Sequence, residues 1–316
     1  MDDNYLNLKR FTLALILGFL FTSCGNVVKN YDQFLTNKFK RNGFVSETAN
    51  INNHNIFYYD NKQEEAPVLL FVHGFGGDGK LSWKEQAFAF NDEYRVIILD
   101  ILWFGKSLSS SEPQLDTQIE AVGQLINHLA LENVNIVGIS YGGFISLGVA
   151  QKFEDKLASL TIVDSPGVHY SPAEQEAFCN KIGVGHIEEA FVPENSEEVK
   201  RMLNFTSKKS VTFTKGIRQQ ILGFYLSKYP EKQKEMLKNL PNNRARFKEL
   251  NFTVPSLILW GEDDEVFDVE NAKALQKQLN AKLVVIKDAG HSLPIEKPKQ
   301  FNKALNDFIQ KVANFN

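Results

Sequence analysis

The sequence predicts an α/β protein: a doubly wound, mostly parallel sheet with a helical lobe inserted late in the chain. Three observations carry this. Continuous apolar runs alternate with segments of helical spacing, first over residues 51–165 and again over 251–316. The interval between them, 166–250, holds no convincing buried strand. Finally, the apolar run 134–139 stops at Gly138-Ile139-Ser140-Tyr141-Gly142 and passes straight into a helix-compatible segment at 144–153. Strand, sharp turn and helix thus follow one another with a hydroxyl at the turn.

The elements can be justified in order. Residues 24–50 are polar with scattered aromatics and read as a tether. Ile56-Phe57-Tyr58-Tyr59, within 51–60, reads as an edge strand, and 61–66 as a charged turn. The run 67–72 is apolar throughout, as expected of a strand covered on both faces, and ends in His73-Gly74-Phe75-Gly76-Gly77. A helix is expected within 82–90, then a buried strand over 94–100. Leu115, Ile119, Val122, Leu125, Ile126 and Leu129 recur at helical spacing. After the serine turn comes a strand over 157–164. The lobe at 166–250 reads as amphipathic helices over 173–182, 197–203, 214–228 and 231–240. Alternation resumes with a strand over 254–260, a helix over 268–279, a strand over 281–287 and a closing helix over 299–312.

Composition narrows the function classes. A chain of 316 residues with 43% apolar content can bury a large core, and one domain with an insertion fits better than two independent ones. The net charge of −3 gives no reason to expect a nucleic-acid partner. Two cysteines, Cys24 and Cys179, exclude a disulfide framework and a thiolate zinc site. The six histidines are scattered, and none shows the H-x-x-x-H spacing of a helical metal site. No cofactor is expected.

The N-terminus is organised differently. Lys9-Arg10 precede an apolar stretch at 11–21, and Thr22-Ser23-Cys24-Gly25 follow. A positive flank, a short apolar stretch and small residues make a secretory signal. The stretch is too short for an ordinary membrane span, which needs about 20 residues. Phe21-Thr22-Ser23-Cys24 resembles a bacterial lipoprotein signal, in which the cysteine becomes the lipid-carrying first residue; Phe21 stands where leucine is usual. The expectation is an exported lipoprotein, anchored at Cys24 and facing the periplasm or cell exterior. The expected organisation is 1–23 signal sequence, 24–50 tether, 51–165 and 251–316 core, and 166–250 helical cap.

In such sheets ligands gather beyond the carboxyl ends of the strands. His73-Gly74-Phe75-Gly76-Gly77, Asp100, Ser140, Asp164, Gly261-Glu262-Asp263-Asp264 and Asp288-Ala289-Gly290-His291 all follow strands. A serine, several carboxylates and a histidine are therefore delivered to one edge. The chemistry needs this set. A serine hydroxyl is barely ionised at neutral pH and needs a base to take its proton. Histidine suits the base because it can return that proton. A carboxylate orients the histidine and stabilises its protonated form. The chain order is serine, acid, histidine, with Asp164, Asp263 and Asp264 as candidate acids. Gly138 and Gly142 must be small for the turn to close.

With those motifs in the right order after the right strands, residues 50–315 resemble the α/β-hydrolase fold family, in particular its serine esterase and lipase-like members with a helical cap. The motifs that carry the resemblance are His73-Gly74-Phe75-Gly76, Gly138-Ile139-Ser140-Tyr141-Gly142, Gly261-Glu262-Asp263-Asp264 and Gly290-His291. The resemblance implies Ser140 as nucleophile, His291 as base, Asp264 as acid and the backbone amides of Phe75 and Tyr141 as an oxyanion hole, with Gly74 shaping that loop. It implies hydrolysis of a small carboxylic ester through an acyl-enzyme, with the cap forming the substrate pocket. Two other readings use the same residues: hydrolysis of carbon–carbon bonds in diketone-type substrates, and a non-catalytic binding lipoprotein. Trp103 departs from the family's D-x-x-G-x-G-x-S loop, standing at its first glycine, so the loop 100–107 is expected to line the pocket differently. Asp100 reads as capping its own loop, His73 as a turn residue, His169 and His186 as solvent-facing, and the basic run 200–215 as a solvated face.

Overall fold

A computed structural model describes residues 26–210 and 212–314. The apolar stretch 11–21 and Cys24 lie outside the described residues. In chain order the elements are α1 (Val27–Arg41), β1 (Val45–Ile51), β2 (His54–Asp60), β3 (Val68–Val72), α2 (Gly79–Phe90), β4 (Arg95–Leu99), the short β5 (Leu108–Ser109), α3 (Leu115–His128), β6 (Val134–Ile139), α4 (Tyr141–Lys152) and β7 (Leu157–Val163). The inserted lobe follows: α5 (Pro172–Ile182), α6 (Ile187–Phe191), α7 (Ser196–Phe205), α8 (Lys215–Ile221), a π-turn over Leu222–Leu226, α9 (Pro230–Asn243) and a 3-10 turn over Arg244–Lys248. The chain closes with β8 (Ser256–Gly261), α10 (Val269–Leu279), β9 (Lys282–Ile286), α11 (Leu293–Glu296) and α12 (Pro298–Ala313).

The strands form one sheet in the order β1-β2-β4-β3-β6-β7-β8-β9, with β5 paired to β2. β1 and β2 run antiparallel; β4, β3, β6, β7, β8 and β9 are parallel. All five residues of β3 are buried. Alternate positions serve opposite faces. Leu69 and Phe71 pack with Trp83 of α2 and Phe301 of α12, whereas Leu70 and Val72 pack with Ile119 of α3 and Phe144 of α4. This two-sided cover is why the strands read as unbroken apolar runs.

The segment read as a tether departs from that expectation. Residues 27–41 are a helix, capped by the Asn26 side chain on the Lys29 amide, and 45–51 are the outermost strand of the sheet. β2, read as the edge, is therefore an inner strand. Val28, Leu35 and Phe39 turn one side of α1 inward. The Phe39 ring is fully buried 4.9 Å from Phe44, 5.1 Å from Tyr59 and 5.0 Å from Phe88. A buried Lys80 adds a polar bolt: its ammonium donates to the Asp32 carboxylate at 2.7 Å and the Thr36 hydroxyl at 2.8 Å. The Tyr225 hydroxyl, from the lobe's π-turn, donates to the same carboxylate at 3.0 Å. α1 thus joins the core to the lobe.

Truncating Phe39 empties a fully buried aromatic site, which typically costs about 3–5 kcal/mol. Phe39→Ala is expected to lower the urea-unfolding free energy by that amount. A loss below about 1 kcal/mol, the scale of an exposed substitution, would return 27–41 to the role of a loose tether.

Candidate active site

The site begins at the end of β6. Ser140 sits at φ 53°, ψ −119°, on the side of backbone space that non-glycine residues avoid. Such a residue costs on the order of 1–3 kcal/mol and persists only where its surroundings hold it. Here they do. The Ser140 amide donates to the Val163 carbonyl at 2.9 Å, and the Ser140 carbonyl accepts from Gly143 at 2.9 Å. A Cβ on Gly138 would overlap the Gly142 carbonyl and the Ser146 hydroxyl; one on Gly142 would overlap the Val72 carbonyl and lie 2.6 Å from the His73 carbonyl. Tyr141 is the first residue of α4, so its amide has no partner within the helix and faces outward at the helix's positive end.

The loop after β3 lies against this turn. A Cβ on Gly74 would be 3.0 Å from Ser140 Cβ and 3.1 Å from the Ile139 carbonyl. His73 is fully buried and bonded at both ring nitrogens: Nε2 accepts from the Ile101 amide at 3.0 Å, and Nδ1 lies 2.7 Å from the Gly74 carbonyl. An accepting Nε2 leaves the proton on Nδ1, which donates to that carbonyl. The Gly74 carbonyl and the Phe75 amide belong to one trans peptide plane, so they point in opposite directions. By holding the carbonyl, His73 aims the Phe75 N–H away from itself.

The third and fourth parts come from the loops after β8 and β9. The Asp264 side chain is wholly buried. Its Oδ1 accepts from the Val266 amide at 2.8 Å and the Phe267 amide at 3.2 Å, while Oδ2 takes His291 Nδ1 at 2.8 Å. Two amide bonds on one oxygen fix which way the other faces. The two loops are tied through the Glu262 amide on the Ile286 carbonyl and the Asp263 amide on the Ala289 carbonyl, both at 2.9 Å. That approach needs Gly261, where a Cβ would overlap the Gly290 carbonyl.

The other candidate acids go elsewhere. Asp263 pairs with Lys208 at 2.8 Å. Asp164 is fully buried at φ 46°, with Oδ1 accepting from the Gly261 amide at 2.8 Å. Burial and the neighbouring Asp264 charge hold its carboxyl well above the ordinary carboxylate range. Asp100 accepts from the Gly79 and Lys106 amides, each at 2.9 Å, and shapes its own loop. In that loop Trp103 has a left-handed φ of 64°, a conformation that glycine adopts without strain, and its ring is fully buried. The loop turns into the core, and none of its residues lines either cavity beside Ser140. His186 is exposed and His169 is half-buried, bonded to Gln278. Within the run 200–215, Lys208 is paired as above, and the Arg201 guanidinium donates to the Glu189 carbonyl at 3.0 Å.

Two cavities meet at Ser140. One, of about 930 Å³ including its open mouth, is lined by Gly74, Ser140, His291, Ile221 and Leu226. The other, of about 500 Å³ including its open mouth, runs under the lobe between Phe75, Tyr141, Phe144, Tyr170, Phe267 and Arg244. Sequence reasoning missed Arg244, which sits in a polar stretch with no motif. It also missed Glu296, whose carboxylate takes the Gly290 amide at 3.1 Å and the Lys208 amide at 2.9 Å, beside His291. Among the described residues, no group of three or more His, Cys, Asp or Glu is placed to hold a metal ion.

A family model described as alpha/beta hydrolase fold matches residues 67–181 and 203–298. The dihydrolipoyllysine-residue acetyltransferase component of the acetoin cleaving system of Pseudomonas putida is 27% identical, the match covering 85% of this chain and 70% of that protein. Human monoacylglycerol lipase ABHD6 is 26% identical over 78% of this chain and 77% of its own length. Among solved structures, a bacterial membrane phospholipase A shares the fold with a TM-score of 0.73 at 22% identity, over 97% of this chain and 99% of that one.

His73 titrates far from its ordinary range. Burial holds its pKa down at about 4, because a second ring proton would face the Ile101 amide, itself a donor. The unfolded chain takes up that proton near pH 6.5, so this group's share of stability is present above about 6.5 and is lost as the pH falls toward 4. At pH 5 the loss is about 2 kcal/mol. The Asp100 carboxyl, pushed up to about 7 by burial and the Asp78 charge, acts with the opposite sign. The informative quantity is therefore the difference between proteins: urea midpoints of His73→Gln should fall less between pH 7 and 5 than those of wild type. Parallel declines would show that His73 is not the group responsible.

Proposed function

The chain belongs to the alpha/beta hydrolase fold family, and from that premise we propose that it hydrolyses carboxylic esters through an acyl-enzyme on Ser140. The observation that carries this is the Asp264–His291 bond at 2.8 Å, with His291 lining the same cavity as Ser140. The likeness to a monoacylglycerol lipase supports an ester as the bond cleaved, and the apolar lining beside Ser140 suits an acyl group.

The chemistry follows from the placement. Ser140 Oγ attacks the ester carbonyl carbon as its proton passes to His291 Nε2. The carbonyl electrons move to oxygen, where the Phe75 and Tyr141 amides face the growing charge; each such donor is worth about 3–4 kcal/mol. Asp264, bonded at Nδ1, keeps the accepting nitrogen of His291 toward the serine and stabilises the imidazolium. As the intermediate collapses, the carbon–oxygen bond to the alcohol breaks and His291 gives the departing oxygen its proton. Water then repeats the attack on the acyl-enzyme with His291 as base, releasing the acid and restoring Ser140. Cleavage of a carbon–carbon bond in a diketone could use the same groups, but no feature of the cavities favours it.

We also propose that the protein is exported and anchored by a lipid on Cys24, on the strength of Lys9-Arg10, the apolar stretch 11–21 and the small residues before the cysteine. Cys24→Ala should move the protein from the membrane to the soluble fraction; unchanged fractionation would end this reading.

For the chemistry, a fluorophosphonate probe should label wild type and fail to label Ser140→Ala. With p-nitrophenyl esters, Asp264→Asn should lower kcat by about 10³–10⁴, while Asp263→Asn stays within about threefold, since its carboxylate faces Lys208 on the surface. A folded wild type that turns over no ester but cleaves a vinylogous diketone would overturn the ester assignment.

A further inference from the structure

Arg244 is out of place as a structural residue. It closes α9 at the end of the lobe, and only 6% of its surface is exposed. It is, among the described residues, the sole charged one lining the cavity under the lobe beside Ser140. Among the described residues its side chain makes no hydrogen bond or ion pair, and its guanidinium nitrogens keep some contact with solvent. Its guanidinium lies 5.2 Å from the Tyr170 ring centre, and the nearby Glu174 carboxylate is already taken up by Ser171 and Asn271. A buried cation without a hydrogen-bonded anion is costly and is retained where something supplies that anion. Two further polar groups in the same cavity are unsatisfied. The Tyr170 and Tyr141 hydroxyls are both buried and have no hydrogen-bond partner. Arg244, Tyr141 and Tyr170 line a space whose other walls are apolar apart from Ser140 and Gln175.

The direction of the substrate follows from His291. It must protonate the departing alcohol oxygen, so that oxygen lies within hydrogen-bond reach of its ring. His291 lines the other cavity and not this one. The alcohol therefore belongs in the cavity of Gly74 and Leu226, and the acyl chain lies toward Arg244.

We propose that Arg244, with the Tyr170 hydroxyl, binds a carboxylate at the far end of the acyl chain, so that the preferred substrates are monoesters of dicarboxylic acids. One cation in an otherwise uncharged cavity matches a single negative charge. The planar guanidinium offers the paired donors that a carboxylate accepts, and the apolar wall between it and Ser140 takes the methylene chain. The direction of the acyl chain rests on the acyl-transfer reading of Ser140; the anion site itself does not.

Two measurements separate those claims. In the first, p-nitrophenyl hydrogen glutarate is compared with p-nitrophenyl pentanoate, which has the same chain length and leaving group. Wild type should favour the anionic ester in kcat/KM by about tenfold or more, a ratio that Arg244→Gln brings within about twofold of unity. Tyr170→Phe, which keeps the ring under the guanidinium, should lower the ratio by about threefold; it serves if Arg244→Gln does not fold. In the second, monomethyl glutarate and methyl pentanoate are titrated calorimetrically into Ser140→Ala, which reads the site whether or not Ser140 is the nucleophile. Tighter binding of monomethyl glutarate, lost when Arg244→Gln is added, supports the proposal. Equal binding of the two, or a preference that survives Arg244→Gln, overturns it. Inorganic phosphate displacing monomethyl glutarate more strongly than acetate does would overturn the assignment to a carboxylate.

Discussion

Everything at this site depends on how little room there is around the backbone of Ser140. Three segments close on one residue: β6 running into α4, the loop after β3, and the end of β7, whose Val163 carbonyl takes the Ser140 amide. At Gly74, Gly138 and Gly142 a single added carbon would meet carbonyl oxygens or the serine. That crowding is what holds Ser140 at a backbone angle it would otherwise leave. It also sets the distance between the serine and the two amides that flank it. The turn cannot loosen locally, because the atoms that would have to move belong to buried strands of the sheet. Rigidity at this point is a consequence of packing density, not of any one bond.

The groups around the turn are oriented by atoms that take no part in the chemistry. His73 aims the Phe75 amide by gripping the other end of the same peptide plane. The Val266 and Phe267 amides hold one oxygen of Asp264 so that the other meets His291. Gly261 lets the two loops approach, and Glu296 steadies the chain before His291. Asp164 shows the alternative that the fold leaves unused. It sits beside Asp264, fully buried, and is held toward its neutral form. Burial and the neighbouring Asp264 carboxylate both raise the Asp164 pKa, so the pair is not equivalent, and it is Asp264 that meets the imidazole.

The parts of this arrangement that could be read from the sequence are those whose local chemistry is unusual. A serine between two glycines at a strand–helix junction, and a histidine after Gly290, have few structural reasons to exist. What could not be read depends on partners distant in sequence. α1 carries Val28, Leu35 and Phe39 at helical spacing, but its charged and amide-rich composition masks them, and what makes it part of the fold is contact with Tyr59 and Phe88. Trp103 was legible as an oddity but not in its consequence. The ring's burial holds the residue at a left-handed angle that a glycine would adopt freely, and so keeps the loop folded into the core and away from the cavities. Arg244 was illegible altogether. An arginine in a polar stretch is ordinary until the fold removes it from water and gives it no anion.

The same contrast divides chemistry from selectivity in this molecule. Ser140, Asp264 and His291, the proposed nucleophile, acid and base, lie on loops that leave one sheet, so each is placed by short-range geometry that a motif can encode. The walls of the cavities are assembled from the inserted lobe, whose helices bury Phe191, Phe205 and Leu237 against the core without any repeating pattern. The lobe is joined to the core through side chains such as Tyr225 on Asp32, and through the Ser292 amide on the Thr206 carbonyl at 2.8 Å. Because these joints, and others such as Gln233 on the Trp103 carbonyl and Lys228 on the Gly105 carbonyl, lie away from the elbow, the lobe's inner surface can change residue by residue while the turn at Ser140 keeps its shape. Changing the substrate then requires no change in the atoms that make and break bonds, and a buried charge such as that of Arg244 can arise in the lobe without disturbing them.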